Sequence, residues 1–149
     1  MRRVSMIKNV DHLAIYVAEL ERSIAFYRDV LGFEETIRWE TKIPGVKQIS
    51  FMKCGDAVIE LFEIEGAKPL VDDPQMAGFK HLCIEVDDFD KDYERIAGMG
   101  VNVLEEPHVL NSENLITKLD TVGLDMEKGL KRAVFADPDG LPIELLYWL

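Results

Sequence analysis

The sequence predicts an α+β fold of two tandem βαβββ modules that form a curved mixed sheet. Three observations predict it. The strand-like stretch HLAIYV at 12–17 is repeated as HLCIEV at 81–86. Each copy is followed by a polar-started stretch whose apolar residues recur at helical spacing. Each half then closes on a strand containing IEL, in CGDAVIELF and in DPDGLPIELLY. Such internal repetition indicates two copies of one supersecondary unit.

The two modules are expected at 8–65 and 78–149, joined by a linker at 66–77 that contains two prolines. Within each module the order is a first strand, a helix and then three further strands. Because 149 residues are too few for two independent domains of ordinary size, the whole chain is expected to form a single domain, 1–149.

The helices have start and stop signals in the sequence. Acidic residues precede the second helix, and Asp87, Asp88 and Asp90 are expected at its N-cap or in its first turn. Glycines are expected to end both helices, in LG at 31–32 and in GMG at 98–100. The helices therefore fall at equivalent places in the two modules.

The second module is longer than the first. His12 and Glu60 are 48 positions apart, whereas His81 and Glu144 are 63 apart, a difference of 15. The additional residues are expected in an insertion at 107–130, which has little periodicity. A long irregular insertion is either functional or a decorative surface loop, and the sequence leaves both open.

Composition and charge exclude some classes of partner. The net charge of −11 argues against nucleic acid, whose phosphates would be repelled. Two cysteines are too few for a disulfide framework, and they are expected to be reduced. The opening MRRVSMIKNVDH has no apolar run typical of a signal peptide, and no later stretch is expected to span a bilayer. A cytoplasmic protein with no membrane contact is therefore expected.

Strand alternation places two histidines and two glutamates on corresponding faces. His12 and His81 lie opposite the aliphatic residues of their strands, which must pack under a helix. Glu60 and Glu144 are each flanked by aliphatic residues, and a buried carboxylate is costly unless it is paired or binds a cation. These four side chains form a suitable ligand set for a divalent ion.

An ordinary alternative stands for each of these residues taken alone. A strand histidine is commonly hydrogen-bonded or exposed, and a buried glutamate commonly meets an arginine. Repetition in register favours the metal site, because four such coincidences are needed.

The paired modules resemble the vicinal oxygen chelate superfamily, on the stretches HLAIYV…RSIAFYRDVLGF, GFKHLCIEV and FADPDGLPIELL. This superfamily includes glyoxalase I (lactoylglutathione lyase), methylmalonyl-CoA epimerase, extradiol dioxygenases, and fosfomycin-resistance and bleomycin-binding proteins. The resemblance covers nearly the whole chain except the insertion, and it is closest to glyoxalase I-like proteins. It implies a glyoxalase-like fold in which the modules curve around one metal site.

The resemblance also implies roles for the four residues. His12 and Glu60 would be the metal ligands of the first module, and His81 and Glu144 those of the second. The ion would be Ni, Zn, Co, Mn or Fe. In glyoxalase I the site is often completed across a homodimer interface, which implies a homodimer here, although closure within one chain stays open. The implied enzyme is a lyase or isomerase that binds two vicinal substrate oxygens and stabilises an enediolate. Glu144 would transfer the proton, with Glu60 sharing or replacing that role.

Departures from glyoxalase I concern the substrate. Tyr16 and Ile64 stand where glyoxalase I proteins commonly have an arginine and an asparagine that touch glutathione, so the thiol cosubstrate is left open. Substrate contacts are expected from two groups of residues. The first group lies on the same strand faces as the predicted metal ligands. The second is the basic pair before the FADPDG stretch, which would either bind an anionic group of the substrate or be solvated surface charge. These residues are Tyr16, Phe62, Cys83, Lys131 and Arg132. His108, in the insertion, is within possible reach of the site, but a lone histidine in a loop is more often incidental.

Other reactions and one different class of function remain as alternatives. An extradiol-type dioxygenase uses two histidines and one carboxylate, and Glu60 would take a place that oxygen or catechol needs. A methylmalonyl-CoA epimerase-like enzyme shares the reaction logic but usually has glutamine at the position of Glu60. A non-catalytic, bleomycin-resistance-like binder fits the acidity, with Trp39 and Trp148 stacking on a drug, but has no need of four ligands.

Overall fold

The computed structural model describes residues 8–71, 73–111, 113 and 128–149, and the chain divides into two units, Met1–Pro69 and Leu70–Leu149. We call these unit 1 and unit 2. Each unit follows the order βαβββ and carries one four-stranded mixed sheet. The predicted α+β class and the two βαβββ modules are confirmed.

Unit 1 contains four strands, a short helix and a π-helical segment that continues the helix. The sheet order is β1-β4-β3-β2, with β1 parallel to β4 and the other pairs antiparallel. The elements are β1 Leu13–Val17, α1 Leu20–Ala25, the π-helical Phe26–Val30, β2 Glu34–Glu40, β3 Val46–Cys54 and β4 Ala57–Ile64.

Unit 2 repeats this arrangement. Its sheet order is β5-β8-β7-β6, and β5 is parallel to β8 whereas the other pairs are antiparallel. The elements are β5 Leu82–Glu85, α2 Phe89–Gly98, β6 Val103–Leu110, β7 Leu130–Ala136 and β8 Pro142–Trp148. Of the segment 107–130, residues 107–110 continue β6 and residue 130 begins β7, while 112 and 114–127 lie outside the described residues.

In both units one face of the sheet packs under the helix, as alternation requires. In unit 1 the residues buried between helix and sheet include Ile24 of α1 and the sheet residues Met52, Ile59 and Leu61. In unit 2 the helix face includes Ile96, Phe135, Ile143 and Leu145. The opposite face of each sheet, which we call the cup face, carries the side chains predicted to function, with the exception of Lys131.

The helix signals are where the sequence places them. Asp88 is the N-cap of α2, and its side chain accepts a hydrogen bond from the backbone N–H of Lys91 at 3.3 Å. Gly32 and Gly100 follow the helical segments with φ of +77° each, a conformation that glycine adopts without a Cβ penalty. Among the described residues, no helix has the length and apolar character needed to cross a membrane.

Candidate metal and substrate site

In unit 1 the structure brings His12 and Glu60 together. His12 directly precedes β1, and Ala14 pairs with Glu60 of β4, so that all three lie on the cup face. His12 Nε2 is 3.0 Å from Glu60 Oε2. Glu60 is buried, and His12 is therefore a close polar neighbour of a carboxylate that is largely shielded from water.

The other ring nitrogen of His12 is held by a neighbouring carboxylate. Nδ1 donates to Asp11 Oδ2 at 2.8 Å. This hydrogen bond is the main cause that raises the pKa of His12 above its ordinary value, and Glu60 acts in the same direction. A carboxylate on one ring nitrogen is also the usual way of orienting a histidine whose other nitrogen binds a metal.

Aromatic rings surround the pair in unit 1. The Phe51 ring lies 5.2 Å from the His12 ring, and Trp39 lies 5.3 Å from Phe51. Tyr16 and Phe62, both predicted substrate contacts, meet edge to face at 5.9 Å, and Tyr16 is 71% exposed. The cup face of unit 1 therefore offers apolar and aromatic surface beside Glu60.

In unit 2 the equivalent pair is His81 and Glu144. His81 directly precedes β5, and Cys83 pairs with Glu144 of β8, which repeats the register of unit 1. His81 Nε2 is 3.2 Å from Glu144 Oε2, and Glu144 is buried. The two His–Glu pairs thus have the same construction in both units.

Charged groups surround the pair in unit 2. Arg132 donates from one terminal nitrogen to Glu144 Oε2 at 3.0 Å and from the other to Glu105 Oε2 at 2.6 Å. The second nitrogen is also 3.4 Å from His108 Nε2, and His108 Nδ1 is 2.8 Å from the carbonyl oxygen of Glu106. Glu144 therefore has the arginine partner that the sequence left open as an ordinary explanation of a buried glutamate.

Cys83 lies against the second oxygen of the same carboxylate. Its Sγ is 3.8 Å from Glu144 Oε1. Partial desolvation of the thiol is the main cause that raises the pKa of Cys83 to about 11, and the charge of Glu144 adds to it, although the residue as a whole is exposed. The sulfur is therefore a neutral thiol near neutral pH and a donor to Glu144.

Lys131 is not brought to Glu144. Its side chain lies on the helix side of β7, opposite the cup face. There its Nζ is 2.5 Å from Asp90 Oδ1 and 5.1 Å from the centre of the Phe89 ring on α2. Of the predicted basic pair, only Arg132 lies on the cup face. Strand alternation explains the difference, because adjacent residues of a strand point to opposite faces.

The two tryptophans weighed as drug-stacking residues have different surroundings. Trp148 packs on an apolar cluster with Leu110, Leu130 and Leu146 in unit 2. Trp39 contacts Phe51 on the cup face of unit 1 and keeps part of its surface exposed. Only Trp39 thus stands beside one of the His–Glu pairs.

Several residues around the pairs, Phe51 among them, were not predicted as site residues. Glu105 and His108 reach Arg132, and Asp11 reaches His12. Asp11 had a signal in the sequence, since it adjoins a predicted ligand. Glu105 had none, because β6 has register shifts between Val103 and Glu105 and between Glu105 and His108 that break simple alternation. His108 was weighed only as a lone histidine of the insertion.

The two pairs fit a divalent ion in chemistry and spacing. Two donors each about 2.1 Å from an ion and at right angles to one another stand about 3 Å apart, as the His–Glu nitrogen and oxygen atoms do in both units. A histidine nitrogen with a lone pair and a carboxylate oxygen repel each other unless a proton or a metal ion lies between them. Among the described residues, no three His, Cys, Asp or Glu side chains gather as a metal-binding group.

Comparison with known proteins gives relatives of several activities. The uncharacterized protein YwkD of Bacillus subtilis is 31% identical over 143 residues, which cover 94% of this chain and 97% of that protein. A probable lactoylglutathione lyase of Synechocystis is 28% identical, covering 91% and 92%. The human mitochondrial methylmalonyl-CoA epimerase is 33% identical over 52% of this chain and 46% of its own length.

Solved structures share the fold. The glyoxalase I of Leishmania major, described as trypanothione-dependent, matches with a TM-score of 0.67 at 23% identity, covering 95% of this chain and 87% of that one. The fosfomycin resistance protein FosX of Listeria monocytogenes, solved with Mn(II) and a sulfate ion, matches with a TM-score of 0.64 at 19% identity, covering 97% and 95%.

The family assignment rests on most of the chain. The sequence model of the Glyoxalase/Bleomycin resistance protein/Dioxygenase superfamily matches residues 9–145. That range includes both His–Glu pairs and every strand and helix except the end of β8. The chain belongs to the Glyoxalase/Bleomycin resistance protein/Dioxygenase superfamily.

Proposed function

We propose that the protein is a divalent-metal-dependent lyase or isomerase of the glyoxalase I type. One observation carries the proposal. Each unit places a histidine nitrogen and a buried glutamate oxygen about 3 Å apart on the cup face, at the same register position. A non-catalytic binding protein has no need of such a repeated pair of metal-type donors.

The proposed metal ligands are His12, Glu60, His81 and Glu144, completed either within one chain or across a homodimer. Histidine and carboxylate donors suit Ni, Zn, Co, Mn or Fe. When bound, such an ion supplies a Lewis acid for two neighbouring oxygens of a small substrate. The chain itself supplies the orientation of the donors, through Asp11 on His12 and Arg132 on Glu144.

Glu144 is the proposed proton carrier. Arg132 and His81 both contact its Oε2, whereas Oε1 faces only the weakly donating thiol of Cys83 among the side-chain contacts described above. Oε1 is therefore the atom that takes the proton alpha to a substrate carbonyl and returns it to the adjacent carbon. Glu60, which occupies the equivalent position in unit 1, shares or replaces this role in the proposal.

The comparisons support this choice of reaction class. A probable lactoylglutathione lyase matches over nearly the full chain, and the FosX structure contains Mn(II). The epimerase relative gives a second candidate of the same proton-transfer class, because it has the highest identity of the relatives described, although over only half of the chain. A methylmalonyl-CoA assay in deuterated water separates the two, since only an epimerase exchanges the alpha proton of that thioester.

The test is turnover of methylglyoxal hemithioacetals made with glutathione, cysteine or coenzyme A, after reconstitution with each of the five metals. We expect metal-dependent turnover with at least one thiol. Glu144→Gln should lower kcat by about 10²-fold or more, the usual range for loss of a general base.

Glu106→Gln is the matched control. Glu106 lies on a strand of the same unit but accepts a hydrogen bond from Tyr93 of α2, and its loss should leave kcat unchanged. Absence of turnover with every thiol and every metal would contradict the glyoxalase form of the proposal. Equal losses in both glutamine variants would contradict the role of Glu144.

A further inference from the structure

Unit 2 contains a cavity on the cup face that is large enough for a small molecule. Its volume is about 420 Å³, within the usual range for ligand pockets. His81 and Arg132 line it together with Glu105, and Leu104, Val134 and Pro142 supply aliphatic wall. One proposed metal ligand, His81, and one mostly buried arginine thus share a cavity with apolar surface.

Arg132 is the main charged group of this cavity. Only 15% of its side chain is exposed, and its two terminal nitrogens are divided between two carboxylates, Glu144 at 3.0 Å and Glu105 at 2.6 Å. The Glu144 side chain is 9% exposed, whereas that of Glu105 is 47% exposed. The guanidinium therefore has one buried partner and one partner at the solvent edge.

The contact with Glu105 is the exchangeable one. Glu105 lies on β6, the edge strand of its sheet, between two register shifts. If Arg132 were released, this half-exposed carboxylate would be solvated at little cost. The mostly buried guanidinium keeps Glu144 as its counter-charge throughout, and the terminal nitrogen that leaves Glu105 becomes available in the cavity. A ligand carboxylate entering the cavity takes over that nitrogen in a charge-assisted hydrogen bond.

The fold itself does not require an arginine here. In unit 2, Val134 pairs with Glu144, and Arg132 lies two residues before Val134 on the same strand. In unit 1, Phe51 pairs with Glu60. The residue two positions before Phe51, and so equivalent to Arg132, is Ile49. Ile49 is buried in a sheet of the same order, so an aliphatic residue satisfies this position. Arg132 is thus a feature of unit 2 alone. Glu144 takes one of its terminal nitrogens, and the other is held only by the half-exposed Glu105 and a longer contact with His108.

We propose that Arg132 forms a carboxylate-binding subsite in this cavity, and that Glu105 occupies the subsite until a ligand displaces it. The ligand class is a small aliphatic monocarboxylate. Two cations, Lys80 and Arg132, and one carboxylate line the cavity, although the chain as a whole carries a net charge of −11. The inference rests on the proposed function only in taking this cavity as part of the substrate site.

Hexanoate and its neutral analogue hexanamide are the probes, titrated into the full-length protein as purified and again after treatment with a chelator. Calorimetry and amide chemical shifts report binding. We expect hexanoate to bind at least tenfold more tightly than hexanamide, with or without chelator. Arg132→Gln should weaken hexanoate binding tenfold or more, whereas Glu105→Gln should strengthen it several-fold.

Arg95→Gln is the control, because Arg95 pairs with Asp92 on the exposed side of α2. Its hexanoate affinity should equal that of the wild type.

Equal binding of hexanoate and hexanamide would overturn the proposal, as would hexanoate binding that Glu105→Gln leaves unchanged. Binding lost on chelation but retained in Arg132→Gln would place the carboxylate on a metal instead. Tighter, Arg132-dependent binding of inorganic phosphate would overturn the carboxylate class. Because the arms with chelator need no metal and no turnover, their result is independent of the proposed reaction.

Discussion

At the scale of single residues, Glu60 and Glu144 show how neighbours differentiate identical side chains. Both are buried glutamates on the fourth strand of a βαβββ unit, and both lie near a histidine. Phe51 is the neighbour in unit 1, whereas Arg132 contacts Glu144 in unit 2. Both units therefore contain the same His–Glu pair, but the side chains around the glutamate differ. They are apolar in unit 1 and charged in unit 2.

Ser23 is a residue whose removal should help the protein. It lies on the buried face of α1 with a fully buried side chain, and its Oγ has no hydrogen-bond partner among the described residues. Ser23→Ala removes an unsatisfied hydroxyl and keeps the helix propensity, so we expect a gain of about 1 kcal/mol in the free energy of unfolding. Urea denaturation measures it. A loss of stability would show that the hydroxyl is satisfied in solution.

Glu35 should make stability depend on pH. Arg38 is the main cause that lowers the pKa of Glu35 below its ordinary value, and Ser50 donates to Oε1 of the same carboxylate at 2.7 Å. The charged form is therefore favoured by folding. Its contribution is complete above the ordinary glutamate pKa of about 4.3 and is lost as pH falls through the lowered value.

The corresponding variant is Glu35→Gln. We expect it to lose on the order of 1 kcal/mol at pH 7 and almost nothing near pH 3, measured as free energies of unfolding in urea. Glu34→Gln, at the exposed neighbouring position, should change little at either pH. Equal losses for Glu35→Gln at both pH values would contradict the assigned charge effect.

At the scale of elements, the sequence predicted what periodicity encodes. The repeated HLAIYV and HLCIEV stretches, the IEL strands and the Asp88 cap are all found at the predicted places, because each depends on local alternation or on a local side-chain hydrogen bond. The contacts of Glu105 with Arg132 were not predictable, because two register shifts in β6 change which side chains reach the cup face. The separation of Lys131 from Arg132 was predictable from alternation alone.

Two turn glycines offer a matched test of how tightly β6 and β7 are joined. A Cβ on Gly129 would lie 2.0 Å from the carbonyl oxygen of Leu110, and its φ is +84°. Gly55 has a φ of +56°, but a Cβ there would meet nothing within 4 Å. Gly55→Ala should therefore cost only about 1 kcal/mol, the penalty of left-handed backbone for a residue with a Cβ.

Gly129→Ala should cost more than about 3 kcal/mol, because the clash is with backbone and one of the strands must move. Thermal unfolding of the two variants beside the wild type measures the difference. Similar midpoints for both would indicate that the approach of Gly129 to Leu110 is looser than the structure shows.

At the scale of the whole molecule, the chain uses one βαβββ plan twice and belongs to a superfamily with several reactions. Its relatives include a probable lactoylglutathione lyase and an epimerase. The donor pairs could be predicted from the sequence because they sit in the repeat. The substrate could not, because the side chains that differ between the units, Trp39 and Phe51 in one and Arg132 and Glu105 in the other, follow no shared pattern.

The most direct test of the account is the divalent metal content of the purified protein, measured by mass spectrometry of the element after desalting. We expect about one ion per chain for a site with four protein ligands, and a loss of most of it in both His12→Ala and His81→Ala. His108→Ala, the variant of the third histidine in the chain, should retain the wild-type content. A wild-type protein without any bound ion, or an ion retained equally in all three variants, would contradict the proposed metal site.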